Sequence, residues 1–415
     1  VNRHDGTDRP DTDRSDTDRL NPARPDPDRL DAGVSDDRVS AEAARIERFV
    51  TDSLDGIVSR IESIVRIPSP TGREGEKAAF VANCIRDLTG EDRVGIDAAG
   101  NVLYEYNPGG AQDALAAAAH IDTVFEDLDR ITIERRGSRL YAPSAGDNSA
   151  NVAGLLAALG YLTANRVVPD KAILFAFTTG EEGSGNLRGM RHLMETHGAR
   201  IREAIAVDGT LESVMAEAVA SRRYLVRVSA PGGHSWHDFG SANAVASAAE
   251  IVARIYRLTP PRAPRTTYNV GLFRGGTSVN SIAETAEFTL DLRSVDPAAL
   301  AEFEREVIET IERYVGEQAG KRIEVTTEPA GERPGGKTDP GSPLVARVKR
   351  VRAACGLPLR FHASSTDANV PIGRGVPAVT FGVYRGDGAH TKREYIELDS
   401  LGVGLRNLIL TLALS

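Results

Sequence analysis

Ala114-Leu-Ala-Ala-Ala-Ala-His120-Ile-Asp122 is the stretch on which the fold of this 415-residue chain turns. The apolar run 114–119 has the composition and length of a strand, and it gives way at once to a histidine and an aspartate. Side chains two apart on a strand share a face, so His120 and Asp122 point the same way. Asp122 can then hydrogen-bond the ring nitrogen that His120 does not give to a metal, which fixes the tautomer and raises basicity. Taken alone, the pair could equally be a surface histidine beside a turn.

Outward from this run, strands and helices alternate. Apolar stretches at 102–106, 172–177 and 204–207 read as strands, with helices after Asn148 and after Gly185. Upstream, Ile46, Phe49, Val50, Leu54, Ile57, Val58, Ile61 and Ile64 recur at helical spacing until Pro68 and Pro70 stop them, and a second helix is expected over 74–88. Such alternation implies an α/β sandwich with a mixed, largely parallel central sheet. Beyond Leu211 the pattern changes to strands at 213–219, 224–229, 267–273, 286–292 and 322–327, with helices at 242–256 and 297–315. That is an α+β unit of domain size, inserted at 211–330 into a catalytic domain formed by 40–210 and 331–415, with 331–341 as the returning linker. Residues 1–39, with recurring Thr-Asp-Arg units, have almost nothing to bury and are expected to form a disordered tail.

Composition narrows the function. A formal charge of −9 disfavours nucleic acid as the main partner, since phosphate binding needs a basic surface. Only Cys84 and Cys355 are present, so a reducing compartment fits better than a disulfide framework. With no apolar stretch of membrane-spanning length and no signal-peptide core near Val1, the expectation is a cytoplasmic protein without a membrane partner.

Five islands then stand out, each where an apolar run ends: Ala-His120-Ile-Asp122, Gly146-Asp147-Asn148, Gly180-Glu181-Glu182-Gly183, Val-Asp208-Gly209 and Gly388-Ala-His390-Thr. Carboxylate oxygen and imidazole nitrogen are the donors that divalent zinc, cobalt or manganese accept. Asp147 could instead cap the helix that follows it. Glu181 and Glu182 are neighbours that repel, so a cation or a proton belongs nearby; adjacent side chains diverge, leaving one for metal and one for general-base work. Asp208 and His390 each sit in a segment that also reads as a turn. All five islands being innocent together is hard to sustain.

In order and spacing the islands resemble the co-catalytic zinc metallopeptidase/aminoacylase superfamily that includes glutamate carboxypeptidase, peptidase T and acetylornithine deacetylase. Secondary markers share the likeness: Pro68-Ser-Pro-Thr-Gly72, Ala99-Gly-Asn101-Val, Pro231-Gly-Gly-His234-Ser, Asn280-Ser-Ile282, Asp291-Leu-Arg293 and Ser365-Thr-Asp367-Ala-Asn369. The resemblance implies a catalytic domain interrupted by a lid, or dimerisation, domain. It implies two zinc ions, one held by His120 and Asp208, the other by Glu182 and His390, with Asp147 bridging. Glu181 would be the general base, Asp122 would orient His120, and His234 of the lid would donate to the oxyanion, in many dimeric members from the neighbouring subunit. Asn280 and Arg293 match positions that bind a substrate's terminal carboxylate, although Arg293 could simply pair with Asp291 or Glu287. His237 has no role in the family pattern. Asn148 departs from it, standing where many members carry an acidic residue or Met.

The expectation is therefore a dinuclear zinc hydrolase, a homodimer through its lid, cleaving small peptides that bear a free carboxylate. An N-acyl- or N-carbamoyl-amino-acid amidohydrolase is the alternative on the same fold. A non-catalytic interaction module is disfavoured by the intact base and ligands, and serine hydrolysis by the absence of a Gly-x-Ser-x-Gly elbow.

Overall fold

The structure, a computed structural model, describes residues 36–127 and 130–415. The expectation for the tail lies outside the described residues up to residue 35, and the first helix, Asp36–Val65, opens within the stretch assigned to it.

A nine-stranded mixed sheet forms the centre of the catalytic domain. Its middle is four parallel strands in the spatial order Ala172–Thr178, Ala114–His120, Ile201–Ala206 and Ala378–Thr380. Val102–Tyr106 flanks them antiparallel on one side and Val214–Ala218 on the other. Every residue of Ala114–His120 and Ala172–Thr178 is buried, as strands covered on both faces must be. The two-residue period divides them between two cores. Leu115, Ala117 and Ala119 pack with the helices Asp36–Val65, Gly75–Thr89, Asn151–Asn165, Pro343–Ala354 and Leu401–Ala413. Ala114, Ala116 and Ala118 pack with Arg188–Thr196 and Asn369–Gly373 on the other side. Helix Asn151–Asn165 is buried on all faces from Asn151 to Leu162, because it lies between the sheet and the helices Asp36–Val65 and Leu401–Ala413.

The inserted unit has its own four-stranded antiparallel sheet, in the order Thr266–Gly275, Thr285–Ser294, Ala220–Ser229, Glu324–Arg333. Ala286, Phe288, Leu290 and Leu292 alternate inward toward helices Ala244–Ile255 and Pro297–Glu317. Both helices start on side-chain caps, Asn243 and Asp296, each accepting from two backbone N–H groups. Strand Val214–Ala218, counted with the insertion from sequence, pairs instead with Phe361–Ser364 and Ala378–Thr380 in the large sheet. Only Val219 separates it from Ala220–Ser229, and strand periodicity names a face but never a partner strand. On this pairing we place the insertion at 220–333. A third sheet of three-residue strands, Arg385–Asp387, Tyr395–Glu397, Arg139–Tyr141 and Glu134–Arg136, escapes sequence reading because each strand is too short to show a period. Among the described residues no helix is long and apolar enough to cross a membrane.

Helix Leu401–Ala413 seats closely on the backbone of Val383, just past strand Ala378–Thr380. A Cβ at Gly404 would lie 1.9 Å from the Val383 carbonyl oxygen, whereas one at Gly402 meets nothing within 4 Å. Gly404→Ala is therefore expected to destabilise the fold by about 1–3 kcal/mol or more, as overpacking does. Gly402→Ala should stay within about 0.5 kcal/mol of the parent. Thermal melts of the two variants would refute this packing if they coincided.

Candidate metal centre

The carboxyl ends of parallel strands are where open α/β sheets bind ligands, and the predicted donors collect there. His120 ends its strand, Glu181 and Glu182 follow Ala172–Thr178, and Asp208 follows Ile201–Ala206. Asp147 arrives from the kinked segment Ala145–Ala150, where its own backbone is not helical (φ −97°, ψ 91°), and His390 from the loop between Arg385–Asp387 and Tyr395–Glu397. Asp147 caps no helix; its carboxylate is committed elsewhere. One oxygen lies 3.0 Å from His120 Nε2 and the other 3.1 Å from His390 Nε2. His390 Nε2 is also 2.9 Å from Glu182 Oε1, and His120 Nε2 is 3.8 Å from Asp208 Oδ1. Donor atoms of His120, Asp147 and Asp208 thus fall within 4.8 Å of one another, as do those of Asp147, Glu182 and His390, with Asp147 common to both groups. Each group offers one imidazole and two carboxylates, a donor set suited to zinc and similar divalent ions.

Burial makes this cluster electrostatically uneasy. Desolvation pushes the Asp208 carboxyl up to about 7, with Asp147 and Glu182 adding to the rise against the pull of His120. Glu181 is raised well above the usual carboxylate range by burial, with Arg333 and His120 opposing and Glu182 and Asp208 adding. Asp147 goes the other way: burial would raise it, but hydrogen bonds to His120 and His390 hold it well below the usual range. Hydrogen bonds to Asp147 and Glu182 lift His390 to about 11. His120 is raised despite burial, by Asp122, Asp147 and Asp208. The protein alone therefore keeps protons where cations would otherwise balance the carboxylates.

Three of the secondary markers, those around Ser69, Asn101 and Asp367, prove to be braces, as does Asp122. Asp122, fully buried, accepts from the N–H groups of Glu181 and Glu182, each at 3.0 Å, and from Thr71 Oγ1 at 2.8 Å. His120 Nδ1 is nearer the main-chain oxygen of Asp122, at 3.1 Å, than its carboxylate, at 3.5 Å. Asp122 thus orients His120 chiefly through its backbone, while its carboxylate shapes the Glu181-Glu182 loop. Ser69 Oγ donates to Ile121 O, and Asn101 accepts from Thr179 N while donating to Gly189 O. Asp367, buried, accepts from Thr178 Oγ1 beneath the strand end.

Four supports were not singled out for these jobs in the sequence. Glu394, 1% exposed, collects the N–H groups of Ser144, Gly146 and Asp147 at 2.6–2.8 Å and so holds the turn that presents Asp147. Gly146 has no room for a side chain, since a Cβ would lie 2.4 Å from the Tyr384 ring. Asn148, the departure from the family pattern, donates to Val207 O and accepts from Asn151, tying the Asp147 turn to the Asp208 strand. Arg333 pairs with Glu181, Nη1 to Oε1 at 3.1 Å. In the sequence Glu394 sits in Lys392-Arg393-Glu394, which looks like surface, and Arg333 lies in the expected linker.

These groups line a cleft of about 530 Å³ together with Arg223, Arg293 and Arg333. Arg293 does pair with Asp291, at 2.6 Å, yet still faces the cleft. His234 and Asn280 are brought together, Ser235 N donating to Asn280 O at 3.0 Å, but on an exposed ribbon that does not line the cleft. The His237 ring stands 4.7 Å from that of His234.

Two outcomes follow. Glu394→Gln should weaken zinc binding about 10- to 100-fold, as loss of a ligand-orienting partner does, measured by competition with a chelator. Unchanged affinity would remove Glu394 from the site's support. Loading zinc at pH 7 should release protons, because His390 is held protonated up to about 11 and must become neutral to bind. Affinity accordingly rises with pH, and calorimetry in two buffers of different ionisation enthalpy would expose a zinc uptake that releases none.

Comparison with known proteins agrees with this geometry. The chain is 25% identical to succinyl-diaminopimelate desuccinylase of Corynebacterium glutamicum, covering 84% of this chain and 94% of that protein. It is 28% identical to acetylornithine deacetylase of Myxococcus xanthus, covering 79% and 86% respectively. In fold it is similar to a tripeptidase from Staphylococcus aureus, with a TM-score of 0.73 at 21% identity over 87% of this chain and 98% of that one. Residues 116–413 match Peptidase family M20/M25/M40, and with its paired histidine-carboxylate groups at the sheet's carboxyl end the chain belongs to that family of metallohydrolases, which act on peptides or N-acyl amino acids.

Proposed function

We propose that this protein cleaves the amide bond of small peptides carrying a free terminal carboxylate, using two divalent cations, zinc in the first instance. The observation that carries the proposal is the sharing of Asp147 between two donor groups, with Glu181 buried beside them. His120 and Asp208 would hold one ion, Glu182 and His390 the other. Two cations so placed would activate water near neutral pH and polarise the scissile carbonyl. Glu181 takes the proton from the attacking water and returns it to the leaving amine. Arg293, facing the cleft with a planar two-pronged donor, suits a terminal carboxylate, and Asn280 would assist it. His234 would donate to the developing oxyanion. Its ribbon lies away from its own cleft, which favours delivery across a homodimer. The outer lid strand Thr266–Gly275, with Leu272 and Phe273 exposed, supplies an edge for such an association.

The two relatives named above favour a second reading, in which the substrate is an N-acyl or N-carbamoyl amino acid. The metal site and base are the same; only the acyl side differs.

Metal-loaded wild type and Glu181→Ala should be compared on dipeptides, tripeptides, N-acyl and N-carbamoyl amino acids. Wild type is expected to cleave one class, and the variant to keep both metals while losing about 10²- to 10⁴-fold in turnover. Preference for peptides supports the first reading, preference for acylated amino acids the second. A wild type that binds no metal would sink both.

A further inference from the structure

Glu181 sits in a loop whose own backbone bonds, Gly185 N to Glu182 O among them, leave the Glu181 carbonyl to an outside partner. Gly180 and Gly183 bracket it at φ of 64° and 48°, so no side-chain sterics restrain the backbone on either side. Asp122 fixes the N–H groups of Glu181 and Glu182, and Gly185 N donates to the Glu182 carbonyl, but the carbonyls of Glu181 and Gly183 are held from elsewhere. Arg333 Nη2 donates to the Glu181 carbonyl at 2.5 Å while Nη1 reaches its carboxylate, and Arg223 Nη1 donates to the Gly183 carbonyl at 2.7 Å. Both arginines belong to the inserted domain. Arg223 lies on Ala220–Ser229 and Arg333 ends Glu324–Arg333, and these are the strands by which the chain enters and leaves that domain. They are neighbours in its sheet, with Arg333 opposite Ser221 and Gly331 opposite Arg223.

We propose that Arg333 is a positioning residue that sets the Glu181 carboxylate and couples it to the stance of the inserted domain; this rests on Glu181 being the base. One guanidinium grips both the main chain and the side chain of Glu181, so its rotamer and its loop are set together. Both partners are nearly dry, with side chains 6% exposed, so solvent screens the pair little. Nη1 also donates to Ser365 Oγ at 3.1 Å in the catalytic domain. Arg333 Nε, buried, has no partner among the described residues and so adds no competing anchor. Rotation of the inserted domain moves the last residue of its exit strand, and with it the oxygen that must meet the water's proton. Pro334, Gly335 and Gly336 follow immediately, and the chain rejoins the large sheet at Gly336–Lys337.

The test uses the full, zinc-loaded chain as wild type, Arg333→Met, Arg333→Lys, Glu181→Ala and the Glu181→Ala/Arg333→Met double variant. Hydrogen exchange over residues 179–184 needs no substrate and should quicken in Arg333→Met with metal content unchanged. On trialanine and N-acetylmethionine, Arg333→Met should lose about 10²-fold in kcat, the cost of a misplaced catalytic group. KM should stay nearly constant, Arg333→Lys should recover part of the loss, and the double variant should be no slower than Glu181→Ala alone. Unchanged exchange in 179–184 overturns the proposal. So does a loss confined to KM, or one that adds to that of Glu181→Ala, since Arg333 would then act on substrate. Should Arg333→Met fail to fold, Arg333→Lys carries the same comparisons with the charge retained. Full turnover by Glu181→Ala would instead refute the base itself, a failure separate from that of Arg333.

Discussion

The site depends on a single carboxylate serving two imidazoles. Asp147 faces His120 with one oxygen and His390 with the other, so both donor groups are incomplete without it. A carboxylate in that position has to be carried on a turn that advances between a central strand and a distant loop. The chain supplies such a turn at 144–148. Glu394 gathers its N–H groups, Gly146 lets it lie against Tyr384, and Asn148 pins it to the Asp208 strand. Buried acids that accept several backbone N–H groups are costly unless fully used, and Glu394 uses both its oxygens.

Charge explains the rest of the arrangement. Asp147, Glu181, Glu182 and Asp208 line the cleft together with Arg223, Arg293 and Arg333, the last paired directly with Glu181. The acids come from strand ends and the Asp147 turn of the catalytic domain and the guanidiniums from the inserted domain, so opposite charges from the two domains meet at the cleft. The inserted domain is thereby more than a cover, because its entry and exit strands also hold the loop that carries Glu181.

Much of this was legible before the structure. His120, Glu181, Glu182 and Asp208 announced themselves because acidic or imidazole side chains directly ended apolar runs, and apolar runs in an alternating pattern are strands. His390 stood out as an imidazole in a turn-like island, but its placement was hidden, since its hairpin strands are three residues long. Glu394 and Arg333 were hidden by their neighbours in sequence: one sits among basic residues, the other among Gly and Pro, and both contexts read as surface. Strand Val214–Ala218 was assigned to the wrong sheet for a related reason, because its alternation is the same whichever partner it finds. His234 and Asn280 were grouped with the site by motif, and in one chain they share a ribbon away from it.

The sequence by itself determined the donors, the order in which they occur and the two kinds of sheet that present them, because side-chain chemistry and strand or helix period are local properties. Only the tertiary structure decided that Glu394 holds the turn carrying Asp147, that Asp122 serves the Glu181-Glu182 loop more than the imidazole, and that an arginine from the far end of the insertion grips Glu181. Those are contacts of about 3 Å between segments as much as 250 residues apart, such as Ser144 and Glu394. Hydrogen bonds and ion pairs of that range leave no period in the chain, and they come into being only when the strands have taken their places in the sheet.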